Sequence, residues 1–366
     1  MKTLLLGDVC PTTVTAPLFK EKNISELFND VVSIFNDKDF IFANLECALT
    51  DHDVAIKKFG PSLKAPKETA EVLKTLGVRC CGLSNNHVFD YGIQGINDTL
   101  SALANVGIDV TGFGNNYEDS RRNYTLEQNG EKICIIAVCE HEYSYALEDR
   151  MGSRPYDEYD TIEDIRYAKA THDRVIVIYH GGKEFCQYPS PRLYKLCHAM
   201  ARNGADVILC QHSHCIGSYE KYNGCHILYG QGNFHFVMPH KLKVWNTALA
   251  VEYDTEKNEI SFIPLKSNEH GISLALGEEK NEIMSEFEYR NGTLINGEWR
   301  NGWHDFCESQ KDNYLKVISR ACLPESTEKN NGMFSHFLDC EAHTDVWREL
   351  FPSYNLTNEK QNGENQ

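Results

Sequence analysis

Short apolar runs broken by polar clusters dominate the first two thirds of the chain. Lys2 to Leu6, Phe40 to Ala43, Val78 to Leu83, Ile133 to Val138, Arg174 to Tyr179 and Asp206 to Cys210 are mostly apolar without alternation. That is the pattern of strands buried on both faces. Ile108 to Val110 and Tyr124 to Leu126 are weaker strand candidates. Between the runs, apolar residues recur at helical spacing over Ile24 to Phe35, Pro66 to Leu76, Ile93 to Val106, Ile162 to Lys169 and Leu193 to Met200. Strand and helix alternate, so this part is expected to form a mainly α/β sheet. Tyr143 to Tyr159, polar and aromatic, reads as a long surface loop lining a substrate cleft.

From Ser218 the texture changes to closely spaced strands at Tyr219 to Tyr222, His226 to Tyr229, Thr247 to Tyr253 and Ile260 to Pro264. Asn223-Gly224 is a hairpin signal between the first two. Beyond about residue 270 the pattern is helical and polar, with helices expected over Asn281 to Tyr289, Cys307 to Cys322 and Met333 to Phe351. Asn355 to Gln366 lacks apolar anchors and reads as a disordered tail. The expected organisation is a domain over 1–268, a helical extension over 269–354 packed on it, and the tail over 355–366.

Composition narrows the function. With 366 residues and 41% hydrophobic content the chain can bury a full core. A formal net charge of −17 argues against nucleic acid or an anionic membrane as partner, since both need clustered Lys and Arg. An anionic substrate, small or polymeric, must then be met by local positive charge such as metal ions. The apolar start stops at Gly7-Asp8, short of a signal-peptide core, and no later run approaches a membrane span. The 14 cysteines form no CxxC pair. Reduced, buried thiols in a cytoplasmic protein are expected.

The candidate chemistry stands at strand ends. Asp8, Glu46, Asn86-His87, His180 and His212-x-His214 each follow an apolar run, where open α/β sheets place their ligands. Singly, each reads as a cap or a solvated side chain. Together they hold two carboxylates, an amide oxygen and several imidazoles, the inventory of a two-metal site for divalent transition ions.

The motifs carrying these residues are Gly7-Asp8-Val9, Asn44-Leu45-Glu46, Ser84-Asn85-Asn86-His87 with Asp90-Tyr91-Gly92, His180-Gly181-Gly182-Lys183-Glu184, Gln211-His212-Ser213-His214 and Gly230-Gln231-Gly232-Asn233-Phe234. In this order the set resembles the CapA family of bacterial capsule and poly-γ-glutamate synthesis, related to the calcineurin-like metallophosphoesterases. The resemblance covers about residues 2 to 240. It implies a four-layer αββα metallophosphoesterase-like sandwich with two divalent ions (Mn, Fe or Zn) at the strand ends. It further implies Glu46 as the bridging carboxylate, Asn86, His180 and His212 beside it at one ion, and Asp8 and His214 at the other. The same resemblance makes His87, next to Asn86, the catalytic histidine. The relatives' pattern has His two residues after the first Asp, where this chain has Cys10, so one ion is expected to bind more weakly than the other.

The reaction expected is hydrolysis, with a phosphoester as the leading substrate. Two ions can hold a bridging hydroxide at neutral pH, and His87 can protonate the leaving group. Lys183, Arg150 and Arg154 would add charge for the substrate, and Glu184 and Asn233, within two of the motifs, are taken with them as substrate contacts. The same hydroxide could attack a γ-glutamyl or peptide amide. A non-catalytic accessory role in capsule synthesis is the third reading.

Overall fold

The computed structural model describes residues 1–140, 143–238 and 242–352; the tail expected over 355–366 lies outside the described residues. Two sheets carry the fold. In the larger, Lys2–Val9 lies beside Phe40–Leu45, followed by Cys80–Gly82 and Asp109–Thr111, all parallel. On its other side Thr247–Asp254, Glu259–Ser267 and Ile272–Leu274 continue antiparallel. The short strand Asn233–His235 pairs with the carboxyl end of Lys2–Val9. The smaller sheet runs Tyr219–Tyr222, Cys225–Leu228, Val207–Gln211, Arg174–His180, Glu131–Cys139 and Tyr124–Gln128, with its four central strands parallel.

The inner faces of the sheets share one core, in which Leu5, Phe42 and Cys80 meet Ile135, Ile176, Ile178 and Leu209. Helices cover both outer faces. Phe19, Leu27, Val72, Leu73, Ile96 and Leu103 pack on the larger sheet; Ile165, Leu193, Leu196 and Met200 pack on the smaller. The result is a four-layer αββα sandwich, and it explains why the central runs do not alternate: both faces of each strand are covered. The Asn223-Gly224 turn joins antiparallel strands with positive φ at both residues (50° and 82°), as a two-residue hairpin of this hand requires.

Several elements differ from the pattern. The stretch from Ile24 to Phe35 is an α-helix only over Ile24–Phe28 and a 3-10 helix over Asn29–Phe35, because Asn29 takes φ 44° and ends the first helix. Met333 to Phe351 is two helices, Glu328–Asp339 and Glu341–Leu350, separated where Cys340 adopts an extended conformation. Ile272–Leu274 belongs to the sheet, so the helical extension begins at Gly277, with Gly277–Asn296 and Trp299–Ala321 as its longest helices. The extension is anchored by Leu294 and Trp299 on the outer face of the smaller sheet. Trp303, Cys307, Tyr314, Phe337 and Val346 form a further core with Cys186, against which Phe59 packs. None of the 14 cysteines forms a disulfide, and only Cys322 is exposed. Among the described residues no helix is long and apolar enough to cross a membrane.

Candidate metal centre and its pocket

Two overlapping ligand sets lie where the parallel strands of both sheets end. Asp8, Glu46 and His180 offer one ligand atom each, all within 4.8 Å of one another, and so do Glu46, His212 and His214. Glu46 is the residue the sets share. Asn86 belongs to the same cluster, its Oδ1 2.9 Å from His180 Nε2. Local backbone features aim these side chains. The pairing of Lys2–Val9 shifts register at Asp8, a bulge of the kind that redirects a side chain. Gly7 permits this, since a Cβ there would run into the Gly232 carbonyl oxygen. His212 and His214 both have positive φ (78° and 53°), a conformation that costs a non-glycine residue free energy and clusters at functional sites.

The charge at the cluster is unbalanced. Asp8 Oδ1 accepts from Asn44 Nδ2 at 2.7 Å and Oδ2 from the His212 amide at 3.0 Å. The Glu46 carboxylate is fully buried, with His180 Nε2 at 3.3 Å, yet neither oxygen takes part in a hydrogen bond. A buried carboxylate in that condition is costly unless a cation completes it. Burial opposes charge on His180, but Glu46 and Asp8 outweigh it and raise its pKa to about 9. Burial likewise disfavours charge on Asp8, yet His180, His214 and Asn44 bring its pKa below the usual carboxylate value. The donor set of carboxylate, imidazole and amide oxygen fits divalent transition ions.

His87 stands beside this cluster on a cavity of about 260 Å³, lined also by Lys58, Asn86, Tyr143, Lys183, Glu184 and His212. Its Nδ1 is 2.6 Å from Asp90 Oδ2 and 3.2 Å from Lys58 Nζ, so Nε2 is the nitrogen left for the cavity. Lys58 and Asp90 form a buried ion pair, and Asp90 also accepts from the Leu63 amide at 2.7 Å. Burial first, and Lys58 second, lower the pKa of His87. The turn itself is held by Asn85, whose Oδ1 accepts from the amides of His87 and Val88 at 3.1 and 2.9 Å. The Ser153 hydroxyl braces it from beneath, donating within 2.9–3.0 Å of the Leu83 and Asn85 carbonyls.

Three of the expected substrate contacts lie elsewhere. Arg154 is 2% exposed and spends its guanidinium on Asp164 and Asn123 at 2.6 and 2.7 Å. The segment from Tyr143 to Tyr159 is part brace and part surface loop: Ser144, Ala146, Gly152, Ser153 and Arg154 are buried, Leu147, Glu148, Asp149 and Tyr159 are exposed, and Tyr143 lines the cavity. Arg150 donates to the Tyr145 carbonyl and lies over the Phe89 ring. Asn233 Oδ1 accepts from His214 Nδ1 at 2.8 Å and so orients a histidine of the cluster. Lys183 and Glu184 do line the cavity. Cys10 is 1% exposed, with burial and then the neighbouring Cys47 raising its thiol pKa well above the ordinary value.

Sequence reasoning passed over Lys58 and Glu140, and gave no role to Asn44 and Asp90 although both lie within its motifs. Asp90 carried a signal, its i,i+3 spacing from His87, and Asn44 stands two residues before Glu46. Glu140 holds the loop after His180: it accepts from the Gly182 amide at 2.7 Å and pairs with Tyr179 and Arg192. Arg192 in turn reaches Asp345 of the helical extension at 3.0 Å.

The chain is 31% identical over 237 residues to the PGA biosynthesis protein CapA of Bacillus subtilis (strain 168), covering 63% of this chain and 62% of that one. It is 27% identical over 241 residues to the capsule biosynthesis protein CapA of Bacillus anthracis, covering 63% and 59%. The match thus spans about 60% of the length of these relatives. A crystal structure of a hypothetical protein from Thermus thermophilus superposes with a TM-score of 0.46 and 15% identity, over 73% of this chain and 100% of that one. Residues 2–238 match the bacterial capsule synthesis protein PGA_cap, a span that contains every residue of the cluster together with His87, and this chain belongs to that family.

Proposed function

We propose that the chain is a metal-dependent hydrolase of anionic substrates, with a phosphoester as the bond cleaved. The observation that carries this reading is Glu46, a fully buried carboxylate without a hydrogen bond, set among Asp8, Asn86, His180, His212 and His214. These six residues would hold two divalent ions. Ions bound there would polarise a phosphoryl or carbonyl oxygen and lower the pKa of a water molecule. His87 is the proton donor to the leaving group, through Nε2, while Asp90 fixes the ring from the other side. Lys58 and Lys183 bring positive charge to the cavity, in a protein whose formal net charge is −17.

The family to which the chain belongs and the names of its relatives favour a second reading, in which the bond cleaved or transferred is a γ-glutamyl amide of a capsular polymer. Assay of the manganese-loaded protein on bis-p-nitrophenyl phosphate, p-nitrophenyl phosphate and poly-γ-glutamate separates the two. Phosphate ester turnover that disappears with chelator is expected. Turnover of poly-γ-glutamate alone would replace the first reading by the second, and no turnover of any of the three by metal-loaded protein would favour a non-catalytic accessory role.

A further inference from the structure

We propose that the helical extension carries a metal site of its own, in which His336, Cys340 and His343 bind one zinc-class ion at the rim of the cavity that His87 lines. Each of the three offers one ligand atom, all within 4.8 Å of one another. Tetrahedral ligands at Zn–N and Zn–S distances sit about 3.3–3.8 Å apart, so small rotamer adjustments close the set around an ion. Two nitrogens and one sulfur suit zinc and its neighbours better than magnesium or calcium. The site is separate from the cluster at Glu46, whose donors are carboxylate, imidazole and amide oxygen.

The local fold brings this set together. His336 lies in Glu328–Asp339, Cys340 is the extended residue that ends this helix and precedes Glu341–Leu350, and His343 falls in the first turn of the second helix. A continuous helix would put residues 336 and 343 two turns apart along its axis; the break at Cys340 brings their ring centres to 5.0 Å. Cys340 is the buried N-cap residue of the second helix. His343 is oriented from behind: its Nδ1 lies 2.6 Å from the Tyr314 hydroxyl and its ring stacks on Phe337 with centroids 3.8 Å apart. With Nδ1–H donating to the Tyr314 oxygen, Nε2 is the ligating nitrogen, the arrangement by which outer-shell partners orient a ligand histidine. His336 is flanked by the rings of Phe59 and Tyr143.

All three residues line the same cavity as His87, Lys58, Lys183 and Glu184. Three protein ligands among the described residues leave a fourth coordination position, and an open position is the mark of a site that takes water or substrate. Because the three residues line the cavity, an ion held by them would receive an anionic group, a phosphate oxygen or a carboxylate, from a molecule bound there. This last step rests on the reading of the cavity as a substrate site; the metal site itself does not.

The experiment uses the full chain, reduced and stripped with chelator, then titrated with Co²⁺. The expected result is a near-ultraviolet thiolate-to-cobalt charge-transfer band of one thiolate. The band should be lost in Cys340→Ser, weakened in apparent affinity at least about tenfold in His343→Gln, and kept in Cys10→Ser and in Asp8→Asn. A folded, cobalt-loaded wild-type protein without the band, or a band that survives Cys340→Ser, overturns the proposal. Failure of the hydrolase reading would leave the band untouched, because Asp8→Asn changes only cobalt held without a thiolate.

Discussion

His87→Ala removes a proton donor but no ligand. It should keep its metal content and slow turnover by roughly 10²–10⁴, with a smaller loss on p-nitrophenyl than on alkyl esters, because a good leaving group needs little protonation. Since burial and Lys58 lower the His87 pKa, donation should fail as pH rises through that depressed value. Lys58→Met should move this alkaline limb of the pH–rate profile upward; an unmoved limb would assign it to another group. Cys10, buried against Cys47, should leave manganese stoichiometry unchanged when replaced by Ser, as elemental analysis would show. At His214 the positive φ allows a finer comparison. His214→Gly should be more stable to urea than His214→Ala by about 1 kcal/mol, since glycine has no Cβ to strain there. The clustering of carboxylates and histidines was legible in the sequence because Asp8, Glu46, His180 and His212 each sit at the end of an apolar run. Lys58 was not legible: no helix or strand holds it, and its place depends on Asp90 reaching it across the fold.

The elements around the site meet in the loop after Arg174–His180. Gly181 lies so close to the Glu140 carboxylate that any Cβ would collide with it, and Glu140 is the group that pins this loop through the Gly182 amide. Gly181→Ala should therefore displace the His180 end of the strand and lower metal content, which elemental analysis after dialysis would register. Arg192 joins buried Glu140 to Asp345. Arg192→Met strands two carboxylates at once and should cost about 3–5 kcal/mol in chemical denaturation, with the helical extension loosening first. That link explains a limit of pattern reading. Helices such as Gly92–Asn105 were legible from their own spacing, whereas the helices on either side of Cys340 pack in one core with Cys186 and Phe59, contacts that no local window contains.

Across the whole molecule, the buried charge at the strand ends couples stability to pH. In metal-free protein the His180 pKa is raised from 6.5 to about 9. The stabilisation from its proton is then fully present below pH 6.5 and lost as pH rises to about 9. Chelator-treated protein should thus lose thermal stability across that window, while metal-loaded protein should not. Because an ion must displace that proton, apparent metal affinity should climb by up to about tenfold per pH unit over the same range. Equal affinity at both ends of the range would show that His180 is not a ligand. A different consequence follows from the place of Lys2–Val9 in the middle of the larger sheet. Its partners on one side, Asn233–His235 and Thr247–Asp254, are the last of its neighbours to be synthesised. At about 5–20 residues per second, the nascent chain carries that strand with one open edge for roughly 10–50 s. Throughout that interval Leu4 and Leu5 await half of their pairing. Both candidate ligand sets, which end at His214, are therefore synthesised before that edge is covered.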